Sequence, residues 1–207
     1  MNPSISTAWK DRSRDADATA DALQSAMDAV PGNVAVFFSS FAMARDISSR
    51  WSLQDRRVLL QESSMAGEQR QQWLDMLGAG KERFVLVAVL GGIFGEGVDL
   101  PPHALDAVFV AGPAFPPVGM ERDLLREFYE SRYGRGFLYA SLVPGMTRVV
   151  QAAGRLVRGP EDRGVVMLLG QRFLRRDIRA LLPEDWRVSV EPSPVAAIEA
   201  FFSECGS

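Results

Sequence analysis

Phe84-Val85-Leu86-Val87-Ala88-Val89-Leu90, followed at once by Gly91-Gly92, decides the fold. An unbroken apolar run of strand length, rich in β-branched valine and bounded by glycine, marks a strand buried on both faces. Such strands belong to parallel sheets covered by helices on each side. The same signature recurs at Val34-Ala35-Val36-Phe37-Phe38, at 104–110, at 164–169 and, in shorter form, at Val58-Leu59-Leu60. Helical stretches are predicted between and after them at 41–51, 67–77, 122–133, 147–157 and 173–181, with Ser40 placed to cap the first. Buried strands alternating with helices give an α/β domain, and the right-handed crossover rule makes it doubly wound in three layers. In such sheets the ligand site lies at the carboxyl ends of the strands. The loops after Phe38, Leu90 and Val110 and the turn before Thr147 are therefore the places to inspect.

The 207 residues suit one large domain. Residues 31–188 form its body, with a helical insertion at about 119–140; a polar helical segment precedes it at 1–30, and a tail with a short helix follows at 189–207. No apolar run approaches the roughly 18–20 residues of a membrane span, and no basic stretch leads into an apolar core as in a secretory signal, so no membrane partner is expected. One cysteine and one histidine exclude an internal disulfide framework, a Cys- or His-rich metal site and a four-cysteine iron–sulfur cluster within these residues. This fits a reducing, cytoplasmic setting. The net charge of −3 is an average: residues 1–121 carry 10 basic and 15 acidic side chains, whereas 122–187 carry 13 basic and 8 acidic. All but Lys10 and Lys81 of the basic residues are arginines, which suits bidentate phosphate contacts and equally a GC-rich genome.

Three segments have the composition for chemistry. Gly91-Gly92-Ile93-Phe94-Gly95-Glu96-Gly97-Val98-Asp99-Leu100-Pro101 follows the strongest strand. Its glycines suit either a flexible turn or a loop that wraps a phosphate chain with its N–H groups. It lacks the Lys-Ser/Thr of a P-loop and the glycine order of a dinucleotide fold. Gln151-Ala152-Ala153-Gly154-Arg155-Leu156-Val157-Arg158 would put Gln151, Arg155 and Arg158 on one helix face with Gly154 beside them. That face is either a solvated basic stripe or a holder of polyphosphate oxygens. Ser39-Ser40-Phe41 ends the first buried strand and offers either an ordinary cap or a phosphate contact. Gly78-Ala79-Gly80-Lys81-Glu82 reads as a helix end, His103 as solvated or structural, and Glu96 with Asp99 as lacking a metal-ligand pattern. The aromatics Phe115, Phe128, Tyr129, Tyr133, Phe137 and Tyr139 could stack nucleobases, though most are expected to pack a subdomain.

Taken in order, these segments resemble helicases of superfamily 2. Gln151-x-x-Gly-Arg155-x-x-Arg158 resembles motif VI, the 95–101 stretch motif V, and 34–40 motif IV. The stretch Gly112-Pro113-x-Phe115-Pro116-Pro117, the insertion before motif VI, and Arg163-Gly164 with Gln171-Arg172-Phe173 after it are similar to the XPD/DinG group of DNA helicases. The resemblance covers about residues 30–188. It implies the second RecA-like motor domain of a 5′-to-3′ DNA helicase, working against a first domain that carries the P-loop, the Mg²⁺-binding acids and, in many members, an iron–sulfur cluster. It further implies that Gln151 senses the γ-phosphate of ATP and that Arg155 and Arg158 act as arginine fingers. Gly97 and Asp99 would couple nucleotide to DNA, and Ser39, Ser40, Phe41, Gly91 and Gly92 would meet the backbone of single-stranded DNA. One departure is plain: no Ser or Thr stands at 89–93, so backbone contact there is expected from N–H groups. A protein of this kind would sit in the cytoplasm, at the nucleoid when on DNA. Two alternatives stay open at this point: a non-catalytic nucleic-acid-binding or partner module on the same fold, and an unrelated phosphate-binding α/β enzyme.

Overall fold

Val34–Phe38 (β1) lies at the centre of a five-stranded sheet because all five of its residues are apolar and both faces of the sheet are covered. Arg83–Val89 (β3) pairs with it on one side, Val34 opposite Val85 and Phe38 opposite Val89. Ala107–Ala111 (β4) pairs on the other, Val34 opposite Ala107 and Phe38 opposite Ala111. Arg56–Leu60 (β2) and Val165–Leu169 (β5) form the edges, giving the order β2-β3-β1-β4-β5 with every pair parallel. This computed structural model describes residues 5, 14–116, 119–157, 159 and 162–205.

Alternate side chains along each strand feed two separate cores, as the two-residue period of a strand requires. Ala35, Phe37, Leu86, Ala88, Val108, Val110 and Leu168 point to one face. They are covered by Gly67–Ala79 (α3), Val143–Ala153 (α5), Arg176–Arg179 (α6) and the loop after β3. Val34, Val36, Phe38, Val85, Val87, Phe109 and Leu169 point to the other, under Ala16–Asp28 (α1), Phe41–Ser48 (α2) and Val195–Cys205 (α7). Each fully buried Val, Leu or Phe in these layers stabilises the fold by about 1.5–3 kcal/mol. Handedness accounts for the distribution: β1 to β2 runs one way along the sheet and crosses by α2, while β2 to β3, β3 to β4 and β4 to β5 run the other way and cross over the opposite face. The doubly wound, three-layer α/β expectation holds. No helix among the described residues is long and apolar enough to cross a membrane.

Several elements differ in extent from the sequence expectation. β4 starts at Ala107 rather than 104 because residues 104–106 are tied to the amino end of β1. The helix expected at 173–181 is a short 3₁₀ turn, Gln171–Leu174, then α6, separated by Arg175 in extended conformation. Met120–Tyr133 (α4) is the predicted insertion helix, yet it buries none of its residues. Leu138–Leu142, a π-helical turn, joins it to α5.

The amino ends of the strands are locked by polar groups. Buried Asn33 accepts the Phe84 N–H at 2.8 Å and donates to Ala104 O at 2.9 Å and Leu77 O at 3.4 Å. Its own N–H donates to Asp106 Oδ2 at 3.0 Å. The Arg56 side chain is 0% exposed and donates to the carbonyls of Gly32 and Val30. Burial, and then Arg83 nearby, lower its pKa. Asn33→Ala strands the Phe84 N–H and the Ala104 carbonyl, and should cost about 2–3 kcal/mol in urea denaturation. Burial also raises the Asp106 carboxyl above its usual 3.8, against the opposing Asn33 hydrogen bond and Arg56 charge. The folded chain thus holds that proton more tightly than the unfolded chain. Its contribution is largest below the usual value and falls as pH rises through the raised folded value. Urea melts over that window should show the stability of the wild type falling relative to Asp106→Asn.

Candidate nucleotide and nucleic-acid interface

Because all strands are parallel, their carboxyl ends share one side of the sheet, where β3 runs into its glycine loop. Leu90 N–H still donates to Phe38 O at 2.9 Å, so the end of β3 is fixed beside Ser39. Gly91 then turns with φ +78°, a conformation that strains residues bearing a β-carbon. Gly92 N–H folds back onto Val89 O at 2.8 Å. A β-carbon on Gly92 would sit 2.8 Å from both Val89 O and Gln61 Nε2, so only glycine fits. Gln61, buried at the end of β2, accepts Val89 N–H at 3.2 Å and braces the same turn. Residues Ile93–Gly97 form one π-helical turn. Phe94, Val98 and Leu100 are buried in the core beneath it, and Phe94 stacks on Trp73 of α3 with centroids 5.8 Å apart. The residues between these anchors face outward: Glu96 and Gly97 are exposed, and Asp99 is 93% exposed.

α5 packs Met146, Val149, Ala152 and Ala153 into the core, with Pro144 in its first turn. It stops at Ala153, four residues before the predicted end, and this corrects the expected stripe of Gln151, Arg155 and Arg158 on one helix. Arg155 N–H bonds to Ala152 O at 3.2 Å and Leu156 N–H to Ala153 O at 3.0 Å, tightening the chain so that Leu156 is buried. Gly154 has an ordinary helical φ and is exposed, so it is not a point of close approach. Gln151 points to solvent from the last turn. Arg158 lies outside the described residues.

The Arg155 side chain turns back across the glycine loop. Its Nε and Nη2 donate to Gly95 O at 3.1 and 2.9 Å, and its Nη1 donates to Val98 O at 2.8 Å. Asp99 Oδ1 is 3.6 Å from Nη1. The side chain is 15% exposed, and two of its five N–H groups remain uncommitted among the described residues. Planar guanidinium geometry permits this three-bond grip; an ammonium could not reproduce it. Two helical turns earlier, Arg148 lies against Gly91 and pairs with Glu96 Oε1 at 3.4 Å. α5 and the turn that follows it therefore hold the glycine loop at both ends. Arg148 and Gln61 were not singled out from the sequence, because no spacing encodes their contacts with the glycine loop.

The structure brings Ser39, Ser40 and Phe41 beside Gly91 and Gly92, since β1 and β3 are neighbours. Ser40 accepts the Met43 N–H as the cap of α2 at 3.3 Å, and Ser39 Oγ is 3.7 Å from Met43 Sδ. Both hydroxyls are half-buried. Gly92 cannot serve with its N–H as expected, because Val89 O already holds it. Gly97 faces open space. At the ends of β4 and β5, Arg172 lies over the Phe115 ring at 5.4 Å and Phe115 neighbours Phe137 at 6.3 Å. Tyr129, Tyr133 and Tyr139 cluster between α4 and the π-turn, while Met120, Leu124 and Phe128 are exposed. His103 is largely exposed with Nδ1 3.3 Å from Asp162 Oδ1. No group of three or more metal-ligating side chains occurs among the described residues.

Comparison with known proteins bears on the family and the fold. The helicase C-terminal domain family matches residues 23–189. The chain belongs to that family. A probable ATP-dependent helicase of Methanocaldococcus jannaschii is 30% identical over 169 residues, covering 71% of this chain and 24% of that protein. The XPD helicase subunit of general transcription and DNA repair factor IIH from Dictyostelium discoideum is 28% identical over 168 residues, covering 75% of this chain and 21% of that protein. A solved XPD helicase structure superposes with a TM-score of 0.71 at 22% identity, covering 87% of this chain and 32% of that one. The chain thus spans about a quarter of the length of the curated relatives it matches. As a helicase C-terminal domain it is a motor domain with a RecA-like fold. Within it, Arg155→Ala should free residues 93–99, seen as faster amide hydrogen exchange there, and lower stability by about 2–3 kcal/mol. Arg155→Lys should restore little of either.

Proposed function

We propose that this domain is the second motor domain of an ATP-dependent 5′-to-3′ DNA helicase, completing an ATP site begun by a first RecA-like domain and holding the backbone of single-stranded DNA. The observation that carries this is the grip of Arg155 on the carbonyls of Gly95 and Val98. It fixes a guanidinium in place at the strand ends, with two N–H groups not hydrogen-bonded among the described residues and Asp99 Oδ1 3.6 Å from Nη1. A cation held rigidly before charge develops stabilises a transferring phosphoryl group without reorganisation. ATP with Mg²⁺ supplies the phosphoryl group; an iron–sulfur cluster, if the motor has one, belongs to the first domain. Arg155, with Arg158, neutralises charge on the γ-phosphate, and Gln151, exposed at the last turn of α5, senses its presence. Gly97 and Asp99 stand on the same loop as the carbonyls that hold Arg155, so a shift at the nucleotide moves the loop. Ser39, Ser40, Phe41 and Gly91 lie at the other end of that loop, where the strand backbone passes. Contacts to backbone rather than bases make binding sequence-tolerant. The cytoplasm, and the nucleoid when on DNA, is the setting this activity implies.

The test is turnover. The 207-residue chain alone should hydrolyse no ATP. Joined to a first motor domain bearing a P-loop, it should show ATPase stimulated by single-stranded DNA, and Arg155→Ala should lower kcat by about 10³-fold or more. Turnover untouched by that substitution would remove Arg155 from the site. Salt-sensitive strand binding with no gain on adding the first domain would favour a non-catalytic binding module.

A further inference from the structure

We propose that Arg148 is a phosphate contact for the DNA strand, taking the place of the hydroxyl that the loop after β3 lacks, and that Glu96 holds it back until the strand arrives. The inference rests on the preceding assignment of the strand to the Gly91 end of the loop. Three observations carry it. The loop at 89–93 has no Ser or Thr, and Gly92 N–H is spent on Val89 O, so two expected donors are missing. Arg148 lies in their place: a β-carbon on Gly91 would be 3.0 Å from its Nε and 3.1 Å from its Cζ. Among the described residues Arg148 makes no hydrogen bond, only the 3.4 Å ion pair with Glu96, and the two side chains are 35% and 39% exposed.

The contrast with Arg155 is chemical. Arg155 spends three of its five donors on neutral carbonyls and is largely covered. Among the described residues Arg148 donates no hydrogen bond, is about one-third exposed, and has one ion-pair partner of the kind that contributes little to stability. A phosphate oxygen reaching the positive-φ turn at Gly91 meets a planar guanidinium suited to bidentate contact. Binding exchanges one ion pair for a stronger one and releases Glu96 on the π-turn. Arg148 lies on α5 and Arg155 in the turn that follows its last residue, Ala153. The same helix and its exit turn thus carry a strand-facing and a nucleotide-facing arginine on opposite ends of one loop.

Fluorescence anisotropy of the 207-residue chain with a labelled oligothymidylate, titrated over salt, tests this. Arg148→Ala should weaken binding about 3–10-fold at low salt and reduce the slope of log K against log salt by about 1. Glu96→Gln, which frees the guanidinium, should tighten binding. If Arg148 merely staples the loop to α5, the two substitutions break the same pair and shift affinity in the same direction, which overturns the proposal. An unchanged affinity and slope for Arg148→Ala, with salt-dependent binding by the wild type, also overturns it while leaving the strand at Gly91. Absence of wild-type binding would overturn both assignments. Thermal unfolding of each variant by circular dichroism separates a lost contact from a lost fold.

Discussion

Parallel pairing of β3 with β1 is the constraint on which the site depends. It lays Val89 opposite Phe38 and carries the ladder one bond further, from Leu90 N–H to Phe38 O. That bond fixes where the chain leaves the sheet, and so places Gly91 and Gly92 against Ser39 and Ser40. Both strands are buried on both faces, so a register slip of one residue would move every side chain to the opposite core. Phe94 and Leu100 are then drawn into the layer under α3 and α5, leaving Glu96, Gly97 and Asp99 at the surface as the polar side of an otherwise buried segment. The loop is thereby a defined shape, with carbonyls of Gly95 and Val98 turned toward the exit of α5.

Opposite ends of the sheet serve opposite purposes. At the amino ends, Asn33 and the Arg56 Nη groups bond to backbone, and Asp106 accepts the Asn33 N–H. At the carboxyl ends, glycines, hydroxyls and arginines are left partly or wholly exposed. A buried amide network with well-formed bonds rigidifies its end of the domain. The carboxyl end can then carry residues that contribute little to stability, Asp99 among them.

The fold was legible in the sequence because its signals are local. Continuous valine-rich runs identify doubly buried strands, and Gly91-Gly92 marks the end of the strongest. For the candidate site, the sequence named residues but carried little of the geometry. Gly154 takes an ordinary helical φ, so nothing in its residue type announces that α5 ends one position earlier. What ends the helix is tertiary: Leu156 finding the core and Arg155 finding two carbonyls sixty and fifty-seven residues away in the chain. Spacing rules assume a continuing helix and so placed Gln151 and Arg155 on one stripe. Arg148 escaped notice for a related reason. Its meaning comes from lying on Gly91, a contact that no periodicity encodes. The π-turn over Ile93–Gly97 is likewise set by the burial of Phe94 against Trp73.

That Arg155 is held by carbonyl oxygens has a consequence for the field it projects. A carboxylate in the same position would fix the side chain equally well but cancel its charge. Carbonyl dipoles orient the guanidinium without neutralising its formal charge. Asp99, the nearest carboxylate at 3.6 Å, is almost wholly solvated, so water and salt dampen its influence. Geometry and potential are therefore set by different groups. The backbone of residues 95 and 98 decides where the cation stands, and the surface residue at 99 adjusts how strongly it is felt. Related domains could then drift in their attraction for a polyanion by changing an exposed side chain, with the framework beneath it unmoved.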